Sequence, residues 1–80
     1  MAESKWIYFV LLPIPLERKT SIWDVRTREG EASLGEIRWF GRWRCFAFYP
    51  RADTLYEKQC LRDIADFCEA QTKAHRTLSR

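Results

Sequence analysis

Five side chains within the stretch Leu34–Pro50, LGEIRWFGRWRCFAFYP, carry the most reactive surface chemistry of this chain: Arg38, Phe40, Arg42, Trp43 and Arg44. Arginine brings a permanent cation with a planar fork of donors. Tryptophan and phenylalanine bring flat apolar area at low conformational cost, and the combination is that of interface hot spots. The same types bind nucleic acid, with arginine on phosphate or guanine and rings on unstacked bases. In the purely structural reading, the rings pack across strands and the arginines lie over them. The chemistry on offer is recognition, with Trp43 and Arg42 at a hairpin tip as its centre.

Groups suited to catalysis are sparse. The sole histidine, His75, lies in a basic C-terminal segment and reads as a solvated residue at a helix end. Cys45, Cys60 and Cys68 make an odd count without a C-x-x-C pair, so neither a disulfide framework nor a zinc knuckle is encoded. A nucleophilic thiol needs a neighbouring base or cation to lower its pKa. Cys60 and Cys68 instead fall on an apolar helical stripe, and Cys45 has no histidine partner in the sequence. Asp63 and Asp66 are neighbours on a helix surface and read as solvated, and no glycine-rich phosphate loop is present. We therefore expect no catalytic residues, no cofactor, no metal ligands and no enzymatic activity.

Length sets the scale of what must position the tip. Eighty residues make one domain, 1–80, and a core of that size supplies only about 3–5 kcal/mol. A composition of 46% hydrophobic and 31% charged residues belongs to a folded chain. The net charge of +3 and a pI near 9.0 favour anionic partners without approaching a histone-like charge density. The apolar run Trp6–Leu12 is stopped by Pro13 and Pro15, far short of the roughly 20 residues needed to span a bilayer. It also lacks the flanks of a signal peptide. A reducing, cytoplasmic setting away from membranes is the expectation.

The elements follow from periodicity. WIYFVLL is rich in aromatic and β-branched residues and predicts a strand at about 5–12, apolar on both faces and therefore covered. Alternation over Thr20–Arg26 predicts a second strand at about 20–27, with Trp23 and Val25 on the buried side. Charged, glycine-bearing Arg28–Glu31 predicts an exposed turn. Strands at about 34–40 and 43–49 flank Gly41-Arg42, which suits a two-residue type II′ turn. That turn pairs Phe40 with Trp43, Trp39 with Arg44, Ile37 with Phe46 and Gly35 with Phe48. Ile37, Trp39, Phe46 and Phe48 then share an inner face, while Leu34, Glu36, Arg38, Phe40, Trp43, Cys45, Ala47 and Tyr49 form an outer, partly exposed one. Thr54-x-x-Glu57 has capping-box spacing and starts a helix at about 55–75. Cys60, Leu61, Ile64, Ala65, Phe67 and Cys68 form its apolar stripe, and Lys73, Arg76 and Arg80 its basic end. The fold expected is α+β: a three- or four-stranded antiparallel β-meander with one C-terminal α-helix packed on one face.

The order KTSIWDV, LGEIRWFGRWRCFAFYP, TLYEKQCLRDIADFCE resembles a widespread set of small uncharacterised proteins of bacteriophages, prophages and other mobile elements. The matching positions are Lys19, Thr20, Trp23 and Val25, then Leu34, Gly35, Ile37, Trp39, Gly41, Trp43, Arg44, Phe48 and Pro50, then Cys60, Leu61, Ile64 and Phe67. The likeness covers Lys19–Glu69, and Met1–Arg18 departs from it. It implies a genomic context and assigns no activity and no site residues. The function expected is that of a non-enzymatic phage or mobile-element accessory protein binding a host protein or ribonucleoprotein complex. Its most concrete form is an inhibitor of a bacterial defence system such as CRISPR–Cas, acting by steric occlusion through Arg38, Phe40, Arg42, Trp43 and Arg44. The alternative is a DNA-binding protein that uses its sheet, by fold-level analogy with AP2-type and integrase arm-binding domains. A minor virion component is a third reading.

Overall fold

The computed structural model describes residues 5–78. Met1–Ser4, Ser79 and Arg80, for which frayed ends and a helix-end cation are expected, lie outside the described residues. Four strands, β1 (Ile7–Leu11), β2 (Trp23–Thr27), β3 (Ser33–Phe40) and β4 (Cys45–Pro50), precede one helix, α1 (Lys58–Leu78). The sheet is an antiparallel meander in the order β1-β2-β3-β4. The expected α+β architecture is thus observed in its four-stranded form, with β1 and β2 shorter than the sequence pattern suggests and α1 starting later and running further.

The core lies between α1 and the inner sheet face. Ile7, Val25, Ile37 and Phe46 from the strands meet Cys60 and Ile64 from the helix. Rings complete it: Phe9 stacks on Phe67 with centroids 4.0 Å apart, and Trp23 sets its edge against Phe46 and Phe67. The helical stripe is narrower and longer than expected. Leu61 and Ala65 are exposed, while Cys60, Ile64, Phe67, Cys68, Thr72 and His75 carry the seam at helical spacing. β1 is not covered on both faces either, since Ile7 alone among its residues is buried and Leu11 is exposed.

Three local expectations are corrected. The β3–β4 turn spans four residues, Gly41–Arg44, and Phe40 pairs with Cys45, Trp39 with Phe46, Ile37 with Phe48 and Gly35 with Pro50. Trp43 and Arg44 donate their N–H groups to the carbonyls of Phe40 and Gly41, each at 3.2 Å, and the left-handed residue is Arg44 (φ 54°), not Gly41. The register is displaced by two residues, and a displacement of two leaves every strand residue on its expected face because side chains alternate with period two.

Leu34 is the exception. It is the extra residue between the Val25–Gly35 and Arg26–Ser33 pairs, a β-bulge, and it turns inward to join the core while Ser33 turns outward. At the helix start, Glu57 is itself the cap. Its carboxylate accepts the Cys60 N–H at 2.7 Å and its carbonyl the Leu61 N–H at 3.2 Å. Thr54 instead donates to the Arg51 carbonyl at 2.9 Å, so the predicted capping box does not form.

Candidate functional site

The β3–β4 hairpin carries its tip beyond the sheet, and α1 brings its C-terminal turn to the same end. At the tip Trp43 is 69% exposed, an unusual setting for the largest apolar side chain. Its ring makes an edge contact with Phe40, centroids 4.8 Å apart and planes at 76°. The contact restricts the ring on one side only and leaves most of its surface open to solvent. Arg42 and Arg44 are exposed on either side of it in sequence.

Arg38 plays a different part. Its guanidinium lies over the Tyr49 ring, 4.6 Å from the centroid, with a Glu36 carboxylate oxygen 3.8 Å away. It is stacked on the outer face and partly compensated, so of the three arginines singled out in the sequence it has the least free charge. Phe40 is half-buried beneath Trp43 and supports that ring.

The helix adds residues that the sequence pattern alone did not bring here. Arg76 donates from Nη2 to the Arg44 carbonyl at 3.3 Å, placing its cation at the backbone of the turn that carries Arg42 and Arg44. His75 is not solvated as expected. Its ring lies 4.2 Å from Trp39 and 6.1 Å from Phe46, centroid to centroid, so the histidine belongs to the packing beneath the tip. Lys73 lines a shallow hollow with Cys45, Cys68, Glu69, Thr72 and Arg76. The signal for Lys73 and Arg76 was the basic end of the helix, which says nothing about which strand end it meets.

Elsewhere the polar groups are matched internally. Asp24, only 6% exposed although it points to the uncovered face, accepts the Ser33 hydroxyl and the Arg26 Nε, each at 2.6 Å. Burial opposes its charge, but the bonds from Ser33 and Arg26 and the positive field of Arg26 and Arg51 outweigh it and hold its carboxyl below the usual range. Arg51 extends the network by donating from Nε to Ser33 Oγ at 2.9 Å. This cluster pins the bulge and offers no open coordination or proton-transfer position.

The thiols are set for packing. Burial pushes the Cys60 thiol up, and burial together with nearby Cys45 pushes Cys68 up to about 11, so both stay protonated at neutral pH. Among the described residues no group of three or more His, Cys, Asp or Glu side chains could hold a metal ion, and no helix is long and apolar enough to cross a membrane. A hollow of about 790 Å³, open to solvent, is at the other end of the strands, between Trp6, Leu34, Leu55 and Tyr56. It shares no residue with the tip.

No family model matches the chain, and no solved structure matches it. An uncharacterised 9.3 kDa protein of Acholeplasma phage L2 is 27% identical to it over 65 residues, which is 81% of this chain and 82% of the phage protein. The chain is thus similar, over most of both lengths, to a small phage protein.

Proposed function

We propose that this chain is a non-enzymatic accessory protein of a phage or mobile element that binds a host macromolecule through the hairpin tip. In its most concrete form it occludes a protein or ribonucleoprotein complex of a bacterial defence system such as CRISPR–Cas, in the bacterial cytoplasm. The observation that carries this reading is Trp43, exposed at the hairpin tip with its ring in edge contact with Phe40. Exposed Arg42 and Arg44 adjoin it in the turn, exposed Arg76 bonds the Arg44 carbonyl, and these cations suit carboxylates or phosphates on the partner. Similarity to a phage protein supports the biological setting.

The test is capture of partners from host lysate by the wild-type protein, with Trp43→Ala and Arg42→Glu as controls, alongside phage plating on CRISPR-positive bacteria. Recovery of one complex by the wild type alone, with restored plating, supports the reading. Unchanged restriction across several defence systems, with equal recovery by the variants, would sink it.

One observation favours a second reading. Exposed Arg42 and Arg44 flank an exposed tryptophan in sequence and Arg76 bonds the Arg44 carbonyl, residue types that suit single-stranded nucleic acid as well as protein. The sheet itself offers less free positive charge, because on its uncovered side Arg26 pairs with Asp24 and Arg38 lies near Glu36. Titration with fluorescent duplex and single-stranded DNA at two salt concentrations separates the readings. Binding that falls steeply with salt and depends on Trp43 supports nucleic acid, and absence of binding at low salt excludes it.

A further inference from the structure

Helix α1 is fastened to the sheet in two places. Its first half enters the core through Cys60, Ile64 and Phe67, the last stacked on Phe9 and edge-on to Trp23. Further on, Thr72, His75 and Arg76 all reach the β3–β4 hairpin. Thr72 Oγ1 accepts the Phe46 N–H at 3.0 Å, the His75 ring lies against Trp39 and Phe46, and Arg76 Nη2 donates to the Arg44 carbonyl at 3.3 Å. Positions 72, 75 and 76 share one helix face. Four helix residues advance about 6.0 Å and two strand residues about 6.8 Å. A helix running back along β4 therefore meets residue 46 from position 72 and residue 44 from position 76.

The second of these steps lands where the hairpin is weakest by itself. Arg44 has φ 54°, a left-handed conformation that costs energy in any residue with a Cβ. The two backbone bonds of the turn, from Trp43 N–H to the Phe40 carbonyl and from Arg44 N–H to the Gly41 carbonyl, are both 3.2 Å, at the long end of the hydrogen-bond range. Gly41–Arg44 are exposed, so burial adds little to these bonds. The guanidinium bond from Arg76 is charge-assisted, comes from outside the hairpin and holds the carbonyl of the strained residue. It also belongs to the last turn of the helix, and helix ends open more readily than cores.

We propose that the C-terminal end of α1 is a clamp on the hairpin tip, with Arg76 as the residue that positions it. While the helix end is seated, the Arg44 carbonyl is held and Gly41–Arg44 keep the turn that carries Arg42, Trp43 and Arg44. When the last helical turn opens, Arg76 leaves, Arg44 relaxes from its left-handed conformation and the turn loosens. Cys60, Ile64 and Phe67 keep the core closed meanwhile. Opening of the helix end and loosening of the tip are thus one local event, distinct from global unfolding. That the clamp governs how the tip meets a partner rests on the reading of the tip as the binding site, whereas the clamp itself is measured without any partner.

Amide hydrogen exchange read residue by residue tests this, together with urea denaturation. In Arg76→Ala the Trp43 and Arg44 amides should exchange at least about fivefold faster. The urea midpoint and the amides of Leu12 and Thr27, bonded to the Ile22 and Ala32 carbonyls away from the tip, should stay as in the wild type. Arg44→Gly supplies the second measurement, because glycine takes the left-handed conformation unaided. Adding Arg76→Ala to Arg44→Gly should change Trp43 exchange by less than about twofold. Unchanged Trp43 and Arg44 exchange in Arg76→Ala overturns the proposal. So does an equally large effect in the Arg44→Gly background, or an acceleration shared by the Leu12 and Thr27 amides. Partner capture is read separately with Trp43→Ala, so the failure of either reading leaves the other standing.

Discussion

Thr72 Oγ1 accepts the N–H of Phe46 at 3.0 Å while its own proton goes to the Cys68 carbonyl at 2.7 Å. One buried hydroxyl thereby satisfies a sheet-edge donor and anchors the helix to β4. Thr72→Val keeps the shape and removes the acceptor, leaving a buried N–H without a partner. A loss of about 1–3 kcal/mol in urea denaturation is expected, largely restored in Thr72→Ser.

Gly35 lies in the bulge at φ 152°, and a Cβ there would collide with the Tyr49 carbonyl oxygen and come within 2.8 Å of Pro50 Cα. Both are backbone atoms and cannot rotate away. Gly35→Ala should cost about 2–4 kcal/mol, measured by the same denaturation, and should loosen the Leu34–Arg51 contact seen in amide exchange.

The depressed pKa of Asp24 has a pH signature. A carboxyl whose folded pKa lies below its unfolded value stabilises the fold above the unfolded value, near 3.8, and loses that contribution as pH falls through the folded one. Denaturation midpoints should therefore drop on the acid side below about pH 4. Asp24→Asn, which cannot titrate, should be less stable at neutral pH and show a flatter acid limb.

Two tryptophans four positions apart should behave oppositely. Trp39 packs on Phe46 and His75, so Trp39→Ala should cost about 3–5 kcal/mol, enough to unfold much of a domain this small. Trp43→Ala should leave the melting temperature nearly unchanged, within about 0.5 kcal/mol, while abolishing partner binding. A large thermal shift in Trp43→Ala would move that ring into the core and remove the tip as a site.

Arg44 holds a left-handed backbone at φ 54°, a conformation that costs a non-glycine residue about 1–2 kcal/mol. Arg44→Gly should raise the melting temperature and weaken partner binding together. A gain in stability with binding intact would show that the side chain does not contribute to the tip.

Local patterning determined much of this protein. Alternation placed Trp23 and Val25 inward, helical spacing picked out Cys60, Ile64, Phe67 and Cys68, and the arginine–aromatic stretch marked the hairpin. The faces of β3 and β4 were legible even with the turn misread, because an error of two residues in register preserves side-chain direction. What depends on contacts between distant segments was not legible. Leu34 turns inward through a bulge opposite Val25 and Arg26, Asp24 is buried by partners from β2 and β3, and His75 and Arg76 meet the hairpin only because α1 runs back along β4. Periodicity encodes which side of an element is apolar. Which backbone group, ring or charge lies opposite it is decided when the elements pack.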